Sequence, residues 1–394
     1  MADGPEEGNQ RPSCCNGNIN VSEDLIRQGY KYYKRKKPPP DFSAVINFNN
    51  PETFQGRVSE IPLRKFLHAG HGLRCTRQWK VYQLLSCPGF IFIVNPFIKG
   101  AQNYWTKRCI EDFTHKPNVS NLDAHMTIKE DESVWELSRN GLDQDLMSRL
   151  RWVHLGYQFD YNVVDYKPEH YFGFPKDLSG LMQHIAEAIG YPGYTPEAGI
   201  VNYYPIGTSM GGHTDHYELD LSWPLISISF GQPAVFLIGG KTKDIKPTAM
   251  FIHSGDIAIM SGESRLAFHA VPRIFNVGED NEPPDCLKWF DPEEINQSGR
   301  NGEESLMDKE KETEAYQLQE IYHKASKINE NAIILNNGSD EKSDFFCECN
   351  ESEKIMNALT DVSKDDWLPF AQYLSRTRIN VNVRQVHSLE NVVK

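Results

Sequence analysis

Three side chains of this sequence, those of His213, Asp215 and His269, are of the types that bind transition metals. Residues two apart in an extended segment face the same side, so His213 and Asp215 can both reach one ion. His269 lies in a strand-like segment that could return it beside the other two. Two histidines and one carboxylate on one face of Fe(II) leave positions open for a chelating co-substrate and O₂. A His-x-Asp pair alone is common, however, and a structural His–Asp hydrogen bond is the plainer interpretation of it.

A run of alternating polar and apolar residues near the C-terminus supplies what such a metal would need. The alternation puts Arg378, Asn380 and Arg384 on one face of a strand. Inward guanidinium groups are costly unless they meet anions. A five-carbon dicarboxylate could chelate iron with one end and pair with arginine at the other, and Asn202 and Tyr204 could add an amide and a phenol. The alternative is an amphipathic strand whose arginines face solvent.

The elements that must position these residues are short strands. Apolar runs broken by Gly and Pro predict strands at 89–94, 225–230, 234–238, 249–253 and 257–260. The turn Ser254-Gly-Asp predicts that the last two form a hairpin. Short strands at this density favour an all-β core with flanking helices, as in a sandwich or a jelly roll, rather than alternating strands and helices.

Composition divides the chain into segments. We expect a disordered tail at 1–20, a helical and loop extension at 21–150, a β domain at 151–277 and 358–387, and a largely disordered acidic insertion at 278–357. The insertion holds 21 of the 54 acidic and 8 of the 41 basic residues, which leaves 33 of each elsewhere. The net charge of -13 therefore belongs to the insertion, and it does not argue against a nucleic-acid partner.

The remaining composition bears on the compartment. The eight cysteines are irregularly spaced, which is typical of reduced thiols. No apolar run is long enough to span a bilayer, and the acidic N-terminus resembles neither a secretory signal nor a mitochondrial presequence. We expect a monomeric intracellular protein of the nucleus or cytoplasm that does not span a membrane.

A basic segment precedes the β domain. Residues 21–37 predict a helix that the prolines at 38–40 end. Its basic residues recur at helical spacing and alternate with tyrosines; they include Arg27, Lys31, Lys34 and Arg35. Such a pattern suits a solvated face, a nuclear localisation signal or a surface that contacts nucleic acid.

Several of these motifs, in this order, resemble the AlkB family of Fe(II)/2-oxoglutarate-dependent dioxygenases. They are Asn202-Tyr-Tyr, His213-Thr-Asp, Ser227-Ile-Ser-Phe-Gly-Gln-Pro, Gly262-Glu-Ser-Arg-Leu-Ala-Phe-His and Arg378-Ile-Asn-Val-Asn-Val-Arg. The resemblance covers about residues 150–277 and 365–386. Pro88-Gly-Phe-Ile-Phe-Ile and Arg151-Trp-Val-His-Leu-Gly-Tyr are most similar to the animal AlkB homologue one group.

The resemblance implies a double-stranded β-helix that holds Fe(II) and 2-oxoglutarate. It implies that His213, Asp215 and His269 are the catalytic iron ligands. Its implied co-substrate contacts are Asn202, Tyr204, Arg378, Asn380 and Arg384. Arg265, four residues before His269, is predicted to steady the iron pocket. A mitochondrial location is also consistent with the resemblance.

The substrate implied by the resemblance is a methylated base in nucleic acid, presented unpaired or flipped out of its stack. Oxidation of an N-methyl group would release formaldehyde, and oxidation of a C-methylated cytosine would stop at a hydroxymethyl or formyl group. We expect tRNA first and single-stranded or unpaired DNA second, with Trp152, Tyr157 and Phe159 as candidate stacking residues. Tyr217 stands where bacterial members carry an acidic residue, which argues against their base preference.

Two other functions fit parts of the pattern. A hydroxylase or demethylase of histone tails would use the same iron chemistry without needing the basic helix. A non-catalytic β-sandwich adapter would use the histidines and the aspartate structurally.

Overall fold

The computed structural model of the chain describes residues 23–63, 65–141, 145–160, 165–276, 283–290 and 362–387. The tail predicted at 1–20 lies outside these residues, as does the acidic insertion apart from 283–290. This short segment packs on the core: Cys286 is buried, and the Asn103 side chain donates to the Lys288 carbonyl at 2.7 Å.

The described residues form fourteen strands, most of them short. They are β1 Val58–Glu60, β2 Lys80–Leu84, β3 Phe90–Val94, β4 Val119–Ser120, β5 Trp152–Asp160, β6 Asp165–Tyr171, β7 Ala198–Pro205, β8 Met210–His213, β9 Leu225–Gly231, β10 Ala234–Ile238, β11 Thr248–Ile252, β12 Ile257–Met260, β13 His269–Ile274 and β14 Thr377–Arg384. Six α-helices flank them: α1 Leu25–Lys34, α2 Ala101–Lys107, α3 Val134–Arg139, α4 Leu146–Arg149, α5 Lys176–Ala188 and α6 Lys364–Leu374.

The strands form two antiparallel sheets. The larger runs β1-β2-β3-β12-β9-β14-β7-β5-β4, with β6 paired to β5, and the smaller runs β11-β10-β13-β8. From β7 onwards the chain passes repeatedly between the sheets, so that β8, β10, β11 and β13 face β7, β9, β12 and β14 across the interior. This is the predicted class, an all-β core with flanking helices arranged as a jelly roll.

Because successive side chains of a strand point to opposite faces, each strand of the larger sheet contributes to two apolar layers, one on each side of the sheet. In the larger sheet, Leu225 and Met260 face the smaller sheet, where they meet Phe236. Their neighbours Ile226 and Ile259 face outward into a second apolar layer. The helix α5 covers that layer with apolar residues at helical spacing, namely Leu178, Leu181, Met182 and Ile185.

The outer face of the smaller sheet is covered by α1. Asp24 caps the helix by accepting the Arg27 N–H at 2.9 Å, and the helix ends at Lys34, before the prolines. Ile26 is buried against Val235 and Leu237 of β10. The predicted basic helix is therefore present, and one of its faces is part of the core.

Two expectations about the strands are corrected. The segment 21–150 contributes β1, β2, β3 and β4 to the larger sheet, so the sheet crosses the boundary expected at residue 150. The predicted hairpin of β11 and β12 is wrong, since β11 pairs with β10 and β12 pairs with β3 and β9. The strand β11 lies in the smaller sheet and β12 in the larger one, so the chain crosses between the sheets at Ser254-Gly-Asp instead of folding back on itself.

Among the described helices, none has both the length and the apolar composition needed to cross a bilayer.

We predict that Ile228→Ala lowers the free energy of unfolding by about 2–5 kcal/mol, because a fully buried aliphatic side chain leaves a cavity when truncated. The control is Leu368→Ala on α6, where the side chain is 54% exposed and the change should stay within about 0.5 kcal/mol. Urea unfolding of both variants measures the difference. A loss below about 1 kcal/mol for Ile228→Ala would contradict the layer assignment.

Candidate metal centre

The two predicted histidine ligands are neighbours on adjacent strands. His213 ends β8 and pairs with His269 at the start of β13, with ring centroids 4.3 Å apart. Asp215 follows β8 by two residues, and its Oδ2 lies 3.7 Å from His269 Nε2. One ligand atom from each of the three side chains lies within 4.8 Å of the others. The fold therefore brings the three residues close enough to hold one metal ion.

Backbone hydrogen bonds orient both imidazole rings. His213 Nδ1 donates to the Gly211 carbonyl at 2.9 Å, and His269 Nδ1 donates to the Ala267 carbonyl at 3.1 Å. In each ring this leaves the Nε2 lone pair for a metal. Burial, together with the neighbouring His213, lowers the pKa of His269 to about 4. His269 is therefore neutral at pH 7, the state in which imidazole binds a metal.

Asp215 is held as a carboxylate. Burial acts to raise its pKa, but Arg384 and the two histidines outweigh burial and hold the pKa well below its usual range. Arg384 Nη1 lies 3.8 Å from Asp215 Oδ1, and Asn382 Nδ2 lies 3.5 Å from Oδ2. The anion that a divalent metal would need is thus present before the metal binds.

A buried ion network supports the loop that follows Asp215. The Glu218 side chain is fully buried and forms ion pairs with Arg265 Nη2 at 2.8 Å and Arg384 Nη1 at 3.0 Å. Arg265 Nη1 also donates to the Asp215 backbone carbonyl at 2.6 Å. Arg265 therefore contacts the loop as well as the network, in line with its predicted place beside the iron pocket. Removing one member of such a network would leave a buried charge uncompensated.

Arg378 is buried without enough partners for its charge. It is 2% exposed, and its Nη2 donates to Ser229 Oγ at 2.9 Å, but Nε and Nη1 have no acceptor among the described residues. Burial lowers the pKa of Arg378 to about 10, so the group is still charged at pH 7. A buried cation with two unsatisfied nitrogen donors calls for an anion, and the distal carboxylate of a dicarboxylate fits this need.

The other predicted co-substrate contacts lie beside Arg378. The register of β7 with β14 places Tyr204 opposite Arg378 and Asn202 opposite Asn380. The Arg378 guanidinium lies 5.3 Å from the centre of the Tyr204 ring. Asn380 Nδ2 donates to Ser227 Oγ at 2.7 Å, which fixes its amide. The solvent-facing alternative for this strand is excluded, because Arg378 and Arg384 are both buried.

All eight predicted metal and co-substrate residues line one cavity of about 510 Å³, a size typical of small-molecule sites. Its lining also includes the aromatic side chains of Trp152, Phe159, Tyr166 and Tyr217. Tyr157, the third residue proposed for stacking, does not line the cavity. It packs instead against Tyr171 and His387, with ring centroids 4.6 and 5.1 Å away.

The basic helix α1 lies outside the cavity but beside one wall. Tyr30 Oη is 2.8 Å from Ser209 Oγ, and the next residue, Met210, lines the cavity. Lys34 Nζ donates to Tyr30 Oη at 2.7 Å. The predicted contacts Arg27, Lys31 and Lys34 are exposed, and Arg35 is half-buried.

Three groups of residues that support the site were not predicted from the sequence. Asn382 was recognisable, since it shares the even spacing of the other polar residues on β14. Ser227 and Ser229 also had a signal, because they are two apart in an otherwise apolar strand. The role of Glu218 had no local signal, since its partner Arg384 is 166 residues away.

Known proteins are similar in sequence to about two thirds of this chain. A family model, the 2OG-Fe(II) oxygenase superfamily, matches residues 90–300. The chain is 42% identical over 287 residues to the nucleic acid dioxygenase ALKBH1 of Mus musculus, covering 68% of this chain and 74% of that protein. It is 30% identical over 280 residues to the tRNA demethylase abh1 of Schizosaccharomyces pombe, covering 66% and 87%. It is 31% identical over 315 residues to the DNA N(6)-methyladenine demethylase ALKBH1A of Arabidopsis thaliana, covering 66% and 88%.

We predict that Arg378→Met weakens 2-oxoglutarate binding at least about 30-fold, because the charge-assisted hydrogen bonds it removes contribute about 2 kcal/mol or more. The matched control is Arg376→Met, two residues earlier on the exposed surface, which should leave the affinity unchanged. Calorimetric titration in the presence of Mn(II) as a redox-stable metal compares the variants. Equal affinities for the two would contradict the role given to the buried guanidinium.

Proposed function

Because the chain belongs to the AlkB family of the 2OG-Fe(II) oxygenase superfamily, we propose that it oxidises methyl groups on nucleic-acid bases. Its cofactors are Fe(II), 2-oxoglutarate and O₂, as for its family. The relatives that act on nucleic acid, tRNA or DNA by name support the substrate class.

One observation carries the proposal: a His–Asp–His cluster and a buried, unsatisfied arginine share one aromatic-walled cavity. His213, Asp215 and His269 would hold the metal, and their Nε2 and carboxylate atoms are already oriented for it. Arg378 would take the distal carboxylate of 2-oxoglutarate, with Tyr204, Asn202 and Asn380 around it.

When bound, Fe(II) with 2-oxoglutarate and O₂ supplies oxidation of a C–H bond, coupled to decarboxylation of 2-oxoglutarate to succinate. The residues of the chain position the reactants and limit the access of water. Trp152 and Phe159 offer apolar faces on which a base can stack. Glu218 and Arg265 keep the Asp215 loop in place from within the core.

We favour tRNA as the substrate and unpaired DNA as the second choice. Hydroxylation of an N-methyl group gives a product that releases formaldehyde and leaves the bare base. The base must leave its stack to enter the cavity, and this costs least in an unpaired or loop region. Arg27, Lys31 and Lys34 on α1 would contact phosphates beside the cavity.

The proposal is tested by mass spectrometry of nucleosides from total tRNA incubated with the protein, Fe(II) and 2-oxoglutarate. We expect loss of a methylated nucleoside and release of formaldehyde. Parallel arms use methylated single-stranded DNA and methylated histone-tail peptide. Oxidation of the peptide with none of either nucleic acid would replace the proposal with the protein hydroxylase or demethylase alternative.

We predict that Asp215→Ala abolishes 2-oxoglutarate turnover while the variant stays folded, because Arg384 retains its ion pair with Glu218. Succinate formation measures turnover, and circular dichroism checks the fold. Asp131→Ala, at an exposed position, is the control and should retain full activity. Turnover by Asp215→Ala would rule out the metal assignment.

We predict that replacing Lys31, Lys34 and Arg35 by alanine weakens RNA binding and flattens its dependence on salt. Removal of each phosphate-binding side chain should reduce the slope of log affinity against log salt concentration by about 0.7 to 0.9. The control replaces three lysines of exposed positions elsewhere, Lys80, Lys129 and Lys364, and has the same charge change. An unchanged slope in the helix variant would return these residues to the solvated-face interpretation.

A further inference from the structure

A second basic segment adjoins α1. The loop between β10 and β11 carries Lys241, Lys243 and Lys246, and all three are exposed. None of these lysines forms an ion pair with a carboxylate among the described residues, although Asp244 lies within the loop. We call the surface made by this loop and the exposed side of α1 the basic ridge.

The loop and the helix are joined through their backbones. The Leu25 N–H donates to the Lys243 carbonyl at 2.7 Å, so the loop caps the first turn of α1. One turn later, Gly29 is so close to Pro247 that a Cβ on the glycine would lie 3.0 Å from the proline Cγ. The two segments therefore keep a fixed relation, and their charges act as one surface.

The charge of the basic ridge departs from that of the whole chain. The helix α1, Leu25–Lys34, contains three basic side chains and no acidic one, and residues 241–246 contain three basic side chains and one acidic one. The chain as a whole has a net charge of -13. Five net positive charges on this surface create a local field that attracts a polyanion.

The basic ridge extends away from the cavity. In the smaller sheet β8, which carries His213, is the edge strand, and β13 separates it from β10. Two strand spacings of about 4.8 Å put the β10 end of the basic ridge about 10 Å from β8. The loop therefore lies to one side of the strand that carries His213, where it would meet phosphates beyond that of the reacting nucleotide.

We propose that Lys241, Lys243 and Lys246 bind the phosphate backbone of the substrate nucleic acid outside the reacting nucleotide. This inference rests on the proposed function, since it takes the reacting polymer to be nucleic acid. The lysines would act as point charges that hold the polymer across α1 without reading its sequence. These contacts would raise kcat/KM for a long substrate relative to a short one, although the cavity receives the same target base from both.

The test replaces all three lysines by alanine and compares the variant with the Lys80, Lys129 and Lys364 control. Two methylated RNAs are used, one a trinucleotide and one with ten nucleotides on each side of the methylated base. We expect the ratio of kcat/KM for the long RNA to that for the short RNA to fall about tenfold in the loop variant only. The salt slope for binding the long RNA should fall by up to about 2 to 3.

The outcomes that would overturn the role of the loop differ from those that would overturn the proposed function. An unchanged ratio together with an unchanged salt slope would overturn the loop assignment, and so would an equal change in the control variant. Binding is measured without turnover, so a reduced slope supports the loop even where the wild-type protein oxidises neither RNA. That absence of oxidation would instead argue against RNA as the substrate of the proposed function.

Discussion

The guanidinium groups of Arg378 and Arg384 are buried between the two sheets, and the cost of burying their charge governs how the site is built. Arg384 is compensated within the protein, by Glu218 and by Asp215. Arg378 is compensated only in part, by the Ser229 hydroxyl and the Tyr204 ring. One arginine thus serves the protein's own carboxylates, and the other is left for the carboxylate of a ligand.

This division separates the two ends of the cavity. Near Arg384, the network through Glu218 and Arg265 holds the loop of Asp215, which lies beside the two oriented histidines. Near Arg378, the hydrogen bonds to Ser227 and Ser229 hold the polar groups of β14. Both ends depend on β14 lying between β7 and β9, because this pairing turns its even residues toward the cavity.

Much of this site could be predicted from the sequence, because period-two alternation determines which side chains share a strand face. It placed Arg378, Asn380 and Arg384 together, and it allowed His213 to act with Asp215. Alternation says nothing about which strands pair, so the hairpin of β11 with β12 was predicted although the chain crosses between sheets there. Alternation also does not reveal contacts between residues far apart in the sequence, such as that between Glu218 and Arg384. The joining of the loop at Lys243 to α1 is a contact of the same kind.

The central claim is that His213, Asp215 and His269 form a metal site that is completed by 2-oxoglutarate. Anaerobic titration of the metal-free protein with Fe(II), with and without 2-oxoglutarate, tests it most directly. We predict one Fe(II) per chain, bound more tightly when 2-oxoglutarate is present, and loss of this binding in Asp215→Ala. Absence of stoichiometric binding, or equal binding by the wild-type protein and that variant, would contradict the claim.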